Sequence, residues 1–181
     1  MVVHLAGIAC KILAMIRLGF RFSCASFVLL SVVSIAVAQA NEPKLTVDGS
    51  VPQAQRLTAA SLSKLPRVTV KAKDHSGKES TFEGVSLVEV LKLAGVQFGE
   101  SLRGKRLQEF LVVEAADGYK AVFALPEIDP AFTDRVIILA DRRDGVRLTD
   151  KEGPWQIVVP GEKRQARWVR QVVALTVRTT S

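Results

Sequence analysis

Gly153-Pro154-Trp155-Gln156-Ile157-Val158-Val159-Pro160-Gly161-Glu162-Lys163-Arg164-Gln165-Ala166-Arg167-Trp168-Val169-Arg170, with Val172 to Val177 after it, is the stretch on which the reading of the chain turns. Trp155 to Val159 and Val172 to Val177 are β-branched, apolar runs and read as the last two strands. Pro160-Gly161 punctuates them. The earlier chain is built the same way. Leu45-Thr46-Val47 with Asp48-Gly49 reads as a short strand and turn, and Val68-Thr69-Val70 as a strand entering the turn Asp74-His75-Ser76-Gly77. Thr81-Phe82 opposes that strand in a hairpin. Phe110 to Val113 and Tyr119 to Phe123 flank Ala116-Asp117-Gly118, and Asp-Gly between two such runs is a strong hairpin signal. Val136 to Leu139 is a further β-rich run, closed by Asp144-Gly145.

Helical signals are few. Thr58 can cap a short helix over Ala59 to Leu65, stopped by Pro66. Ser86 with Glu89 has capping-box spacing, Leu87, Val90, Leu91 and Ala94 share one face, and Gly95 ends the segment. Pro126-Glu127-Ile128 begins a short helical or irregular piece. Short strands, a few short helices and no regular βαβ alternation predict an α+β domain of mixed β-sheets.

The most pointed chemical feature lies after Pro160-Gly161. Lys163, Arg164, Arg167 and Arg170 crowd into eight residues around Trp168. On a helical turn Lys163, Arg167 and Arg170 would share a face; on a strand Arg164, Trp168 and Arg170 would. In either geometry two or three cations converge, an arrangement that holds phosphate or carboxylate by charge-assisted bonds. The plainer alternative is a solvated basic edge that keeps sheets from associating. No nucleophile elbow, phosphate-binding glycine loop, dinucleotide fingerprint or His-Glu-x-x-His motif occurs, so no catalytic residue is expected. His75 reads as a solvated turn residue, and no metal ligand set is expected. Asp117, before Gly118, suits turn geometry.

Residues 1–40 hold no acidic residue and three basic ones, Lys11, Arg17 and Arg21. An uncharged run from Phe22 to Val37 follows and ends in Ala38-Gln39-Ala40. This predicts a secretory signal peptide cleaved after Ala40, with Met1 or Met15 as the start, and a periplasmic or secreted domain over residues 41–181. An uncleaved anchor is the alternative, and the only membrane contact expected. No Arg-Arg pair precedes the run, so the twin-arginine signal is missing. Without Lys11, Arg17 and Arg21, 22 basic residues face 18 acidic ones, a balance of +4. An exported domain so mildly basic is not expected to bind nucleic acid. Both cysteines, Cys10 and Cys24, fall in the leader; residues 41–181 contain none. Neither a disulfide framework nor a thiolate metal site can be built there.

An ordered set of segments resembles a known family. Leu45-Thr46-Val47-Asp48-Gly49, Leu62 to Pro66, Glu83-Gly84-Val85-Ser86-Leu87 and Ala116-Asp117-Gly118-Tyr119 come first. Leu139-Ala140, Asp144 to Leu148, Gly153 to Pro160 and Ala166 to Arg170 complete the order. Together they resemble the oxidoreductase molybdopterin-binding domain, the sulfite-oxidase type of fold, in a small single-domain form. The resemblance implies that Arg167 and Arg170 reach a cofactor phosphate, with Lys163 and Arg164 beside them. It also implies that Asp117 and Tyr119 lie toward the same region. Catalytic members carry a molybdenum-binding cysteine near the end of the strand after Leu-Pro; here that stretch reads Val68-Thr69-Val70-Lys71-Ala72-Lys73-Asp74. Neither alanine nor lysine replaces a soft thiolate. The expectation is a non-redox binding or partner module with a basic anion groove and no cofactor, serving an anionic small molecule or a periplasmic protein. One alternative is a molybdopterin-dependent oxidoreductase without a protein thiolate ligand. Another is a structural subunit whose interface uses Trp155 and Trp168.

Overall fold

Alternation of apolar and polar residues shapes two sheets, one mixed and one antiparallel. The computed structural model describes residues 42–180 except His75; the expected signal segment and His75 lie outside the described residues. Within the compact unit Pro43–Ser181 the order is β1 (Leu45–Gly49), β2 (Gln55–Leu57), α1 (Ala59–Leu62), β3 (Arg67–Lys73) and β4 (Glu79–Ser86). Then come α2 (Leu87–Lys92), β5 (Glu109–Ala115), β6 (Lys120–Ala124), α3 (Leu125–Ile128) and β7 (Ile138–Arg143). The last strands are β8 (Val146–Arg147), β9 (Gln156–Val158) and β10 (Val172–Thr179). The first sheet runs β2-β1-β10-β5-β6, with β1 parallel to β10 and the other pairs antiparallel. The second runs β3-β4-β7-β8, and β9 also pairs with β7.

One hydrophobic cluster draws on both sheets. Leu111, Val113, Phe123, Leu175 and Val177 come from the first; Phe82, Val85, Ile138, Leu139 and Ile157 come from the second. Leu87, Val90, Leu91 and Ala94 add the apolar face read from the α2 spacing. Gly84 sits where the β4–β7 register shifts, and a Cβ there would collide with the Leu139 carbonyl oxygen. Only glycine allows that strand approach.

Several local expectations are adjusted. Thr58 does cap α1, its Oγ1 accepting from the Ser61 amide at 3.2 Å, but the helix ends at Leu62 rather than Leu65. Ser86 precedes α2 without a side-chain cap; Glu89 instead takes a 2.8 Å bond from Lys92 Nζ, so the capping box does not form. The β-run expected at Val136 to Leu139 is displaced to Ile138–Arg143, where β4 supplies its partner.

Candidate functional site

The chain leaving β9 is neither a helix nor a strand. Gln165–Arg167 forms one 3₁₀ turn, and the segment is tied to both sheets. Gln165 Nε2 donates to the Lys73 carbonyl at 2.9 Å, at the end of β3. Tyr119 Oη donates to the Ala166 carbonyl at 2.7 Å, from the β5–β6 hairpin. Trp168 Nε1 donates to the Val159 carbonyl at 3.2 Å, and its ring meets Phe82 edge-on with centroids 5.5 Å apart. Such aromatic pairing fixes the segment's inner side.

These ties split the four expected cations. Lys163, Arg164 and Arg170 line one groove of about 790 Å³, walled by Phe82, Trp168 and Ala166 and edged by Asp74 and Ser76. Among the described residues none of the three forms a salt bridge. Arg164, Trp168 and Arg170 are the trio expected on a strand, and Lys163 joins them. Arg167 is the correction. It turns out of the groove, its Nη1 donating to Glu127 Oε1 at 2.9 Å and its other guanidinium nitrogens to Glu162, with the Phe123 ring 4.6 Å from its Cζ. Burial pulls the Arg167 pKa down, but the bonds to Glu127 and Glu162 outweigh it and hold the pKa above the ordinary value. A cation neutralised twice has little field left for a ligand.

Asp117 and Tyr119 also separate. Asp117 Oδ1 accepts from the Tyr119 amide at 2.9 Å, which is turn geometry, and Asp117 is not among the groove's lining residues. Tyr119 reaches the basic segment through its hydroxyl and is half-exposed. Trp155 and Trp168 are both buried, 3% and 7% exposed, so they are core residues and not interface anchors.

The structure adds groove residues the sequence reading missed. Arg143 is held by Glu152 at 3.0 Å. Asp74 Oδ1 accepts from Ser76 Oγ at 2.6 Å, the Ser76 amide at 2.9 Å and the Lys78 amide at 3.1 Å. Those bonds, that from the Ser76 hydroxyl foremost, keep its carboxyl below the usual range. Gln156 is 4% exposed, and its Oε1 has no hydrogen-bond partner among the described residues.

Comparison with known proteins gives this groove its context. Residues 32–181 match the model of the oxidoreductase molybdopterin binding domain. The chain belongs to this family. Sulfane dehydrogenase SoxCD from Paracoccus pantotrophus is similar in structure, with a TM-score of 0.61 at 21% identity, over 76% of this chain. That likeness is one of fold: mixed sheets with few short helices, the sulfite-oxidase type. The chain spans 38% of the SoxCD chain it matches. No curated protein matches it.

The family's cofactor sets a test for this domain's donors. Lys163, Arg164 and Arg170 fit a phosphate, such as the one molybdopterin carries. The metal end finds no counterpart. The end of β3 offers Ala72, Lys73 and the turn-bound Asp74, residues 41–181 hold no thiolate, and among the described residues no three His, Cys, Asp or Glu side chains gather. Oxygen already engaged by backbone N–H groups is a poor substitute for a soft donor.

Proposed function

We propose that this chain is an exported, single-domain member of the molybdopterin-binding family, with residues 41–181 as its domain. It binds an anionic group in the groove of Lys163, Arg164 and Arg170 and does not carry molybdenum redox chemistry. The observation that carries this reading is the pairing of three unbridged cations with a β3 end that lacks a thiolate. The groove's own carboxylates are already occupied: Glu152 by Arg143, and Asp74 by its turn. The positive field is therefore left for a ligand. Export in an unfolded state, which the basic flank and apolar run of residues 1–40 support, agrees with a domain that does not leave the cytoplasm with a cofactor already loaded.

The test is thermal unfolding of the protein, purified after expression with its own N-terminal segment, in rising inorganic sulfate or phosphate against chloride of equal ionic strength. A bound oxyanion at a hundredfold excess over Kd stabilises by about 2.7 kcal/mol. The rise should vanish in Arg164→Ala/Arg170→Ala. No rise in the unaltered protein, or an equal rise in the double variant, contradicts the anion site.

A further inference from the structure

β3 ends the second sheet and has a strand, β4, on one side only. Two contacts fix which of its backbone groups look outward. The Asp74 amide donates to the Lys78 carbonyl at 2.8 Å, so Asp74 and, at intervals of two, Ala72, Val70 and Val68 bond toward β4. The Lys73 carbonyl instead accepts from Gln165 Nε2 at 2.9 Å, from outside the sheet. Arg67, Thr69 and Lys71 share the phase of Lys73, so their N–H and C=O groups point along the same free edge. Among the described residues no backbone group bonds to them there. The strand is seven residues long, with Val68 and Val70 half-buried on the core face and Arg67, Thr69, Lys71 and Lys73 exposed on the other. A row of unpaired backbone groups of this kind is a template for a further strand.

We propose that the free edge of β3 takes up an extended segment of a partner protein as an added strand, one in which acidic and aliphatic residues alternate. Main-chain bonds supply the affinity of such a pairing, and alternate side chains choose the partner. β3 carries three basic residues and no acidic one. Arg67 is engaged by Asp141 at 2.6 Å, but among the described residues neither Lys71 nor Lys73 forms a salt bridge. Glu79, across from Lys73, lies on β4, one strand farther from the edge. Acidic side chains on one face of the added strand meet Lys71 and Lys73, and aliphatic ones on the other face cover Val68 and Val70. A second copy of this chain suits the edge less well. Two β3 strands paired antiparallel about Val70 set Arg67 against Lys73, and like charges placed opposite one another destabilise a sheet. The edge is distinct from the anion groove, which neither Thr69 nor Lys71 lines.

Fluorescence polarisation with end-capped seven-residue peptides tests this on the purified protein. A peptide alternating Glu and Val should bind about tenfold tighter than one alternating Gln and Val, the size expected for two or three exposed ion pairs. Lys71→Glu/Lys73→Glu should erase that preference and turn it toward a Lys-Val peptide. Thr69→Pro should abolish binding: it removes an outward N–H and no bond of the β3–β4 ladder, so the unfolding temperature should hold. Should proline disturb the fold, the unaltered protein decides alone. N-methylating alternate amides of the Glu-Val peptide should abolish binding in one phase and spare it in the other, because only one row of amides faces β3. No binding of the Glu-Val peptide, binding as tight by Gln-Val, or equal binding by both N-methylated phases overturns the proposal. So does a dimer of this chain that Thr69→Pro dissociates, which would show that the edge is kept for a second copy.

Discussion

The two sides of the segment after Gly161 carry the same residue type and do opposite things. On one side Arg167 lies between Glu127 and Glu162 over Phe123, with a further bond to the Val122 carbonyl at 3.3 Å. It fastens the segment to the edge of the first sheet. On the other side Lys163, Arg164 and Arg170 face a groove and, among the described residues, form no salt bridge. Basic residues crowded in a sequence are therefore not equivalent binding groups. What each can hold is decided by the acids that tertiary structure brings to it.

The sharpest way to break this contrast is to remove what both sides rest on. Trp168→Ala deletes a buried ring, its contact with Phe82 and its bond to Val159. A loss of about 3–5 kcal/mol in urea unfolding is expected. Arg167→Ala strikes the fastening side. Unfolding free energy should fall by about 1–2 kcal/mol, less than the roughly 3–5 of a fully buried pair, because 32% of the Arg167 side chain meets solvent. Arg164→Ala/Arg170→Ala strikes the open side. Stability should stay within about 0.5 kcal/mol while the oxyanion-dependent rise in unfolding temperature disappears. Equal destabilisation by Arg167→Ala and Arg170→Ala would erase the distinction.

Acid gives the smallest effect. Asp74, held first by the Ser76 hydroxyl, and Asp144, held first by the Thr81 amide, both have carboxyl pKa values below the ordinary 3.8. A lowered native pKa gives stability that is complete above the unfolded value and lost as pH falls through the native one. The unfolding temperature should thus hold down to about pH 4 and then decline, and Asp74→Asn should flatten part of that decline. An unchanged acid limb in Asp74→Asn would show that the carboxylate's turn bonds carry no linkage.

Local features were legible in the sequence. The Asp117-Gly118 hairpin, the Thr58 cap and the apolar face of α2 each depend on residues a few positions apart, and each is present. The two hairpins were legible as partners, but the other pairings were not, since β1 pairs with β10 across the length of the domain. At the site, the basic cluster was visible and its division was not. Glu127 lies forty residues from Arg167, so no spacing rule announces that the two will meet. Gln156 gave no signal either: an unpaired amide within an apolar strand is defined by what its neighbours fail to offer. The Ser86–Glu89 spacing promised a capping box that does not form: Ser86 makes no side-chain cap, and Glu89 accepts from Lys92.

The quantity that bears most directly on the whole account is the molybdenum-to-protein ratio of material purified after expression with its own first forty residues. Elemental analysis should find the metal far below one atom per chain, in protein that still responds to oxyanions. One atom per chain, retained through purification, would contradict it.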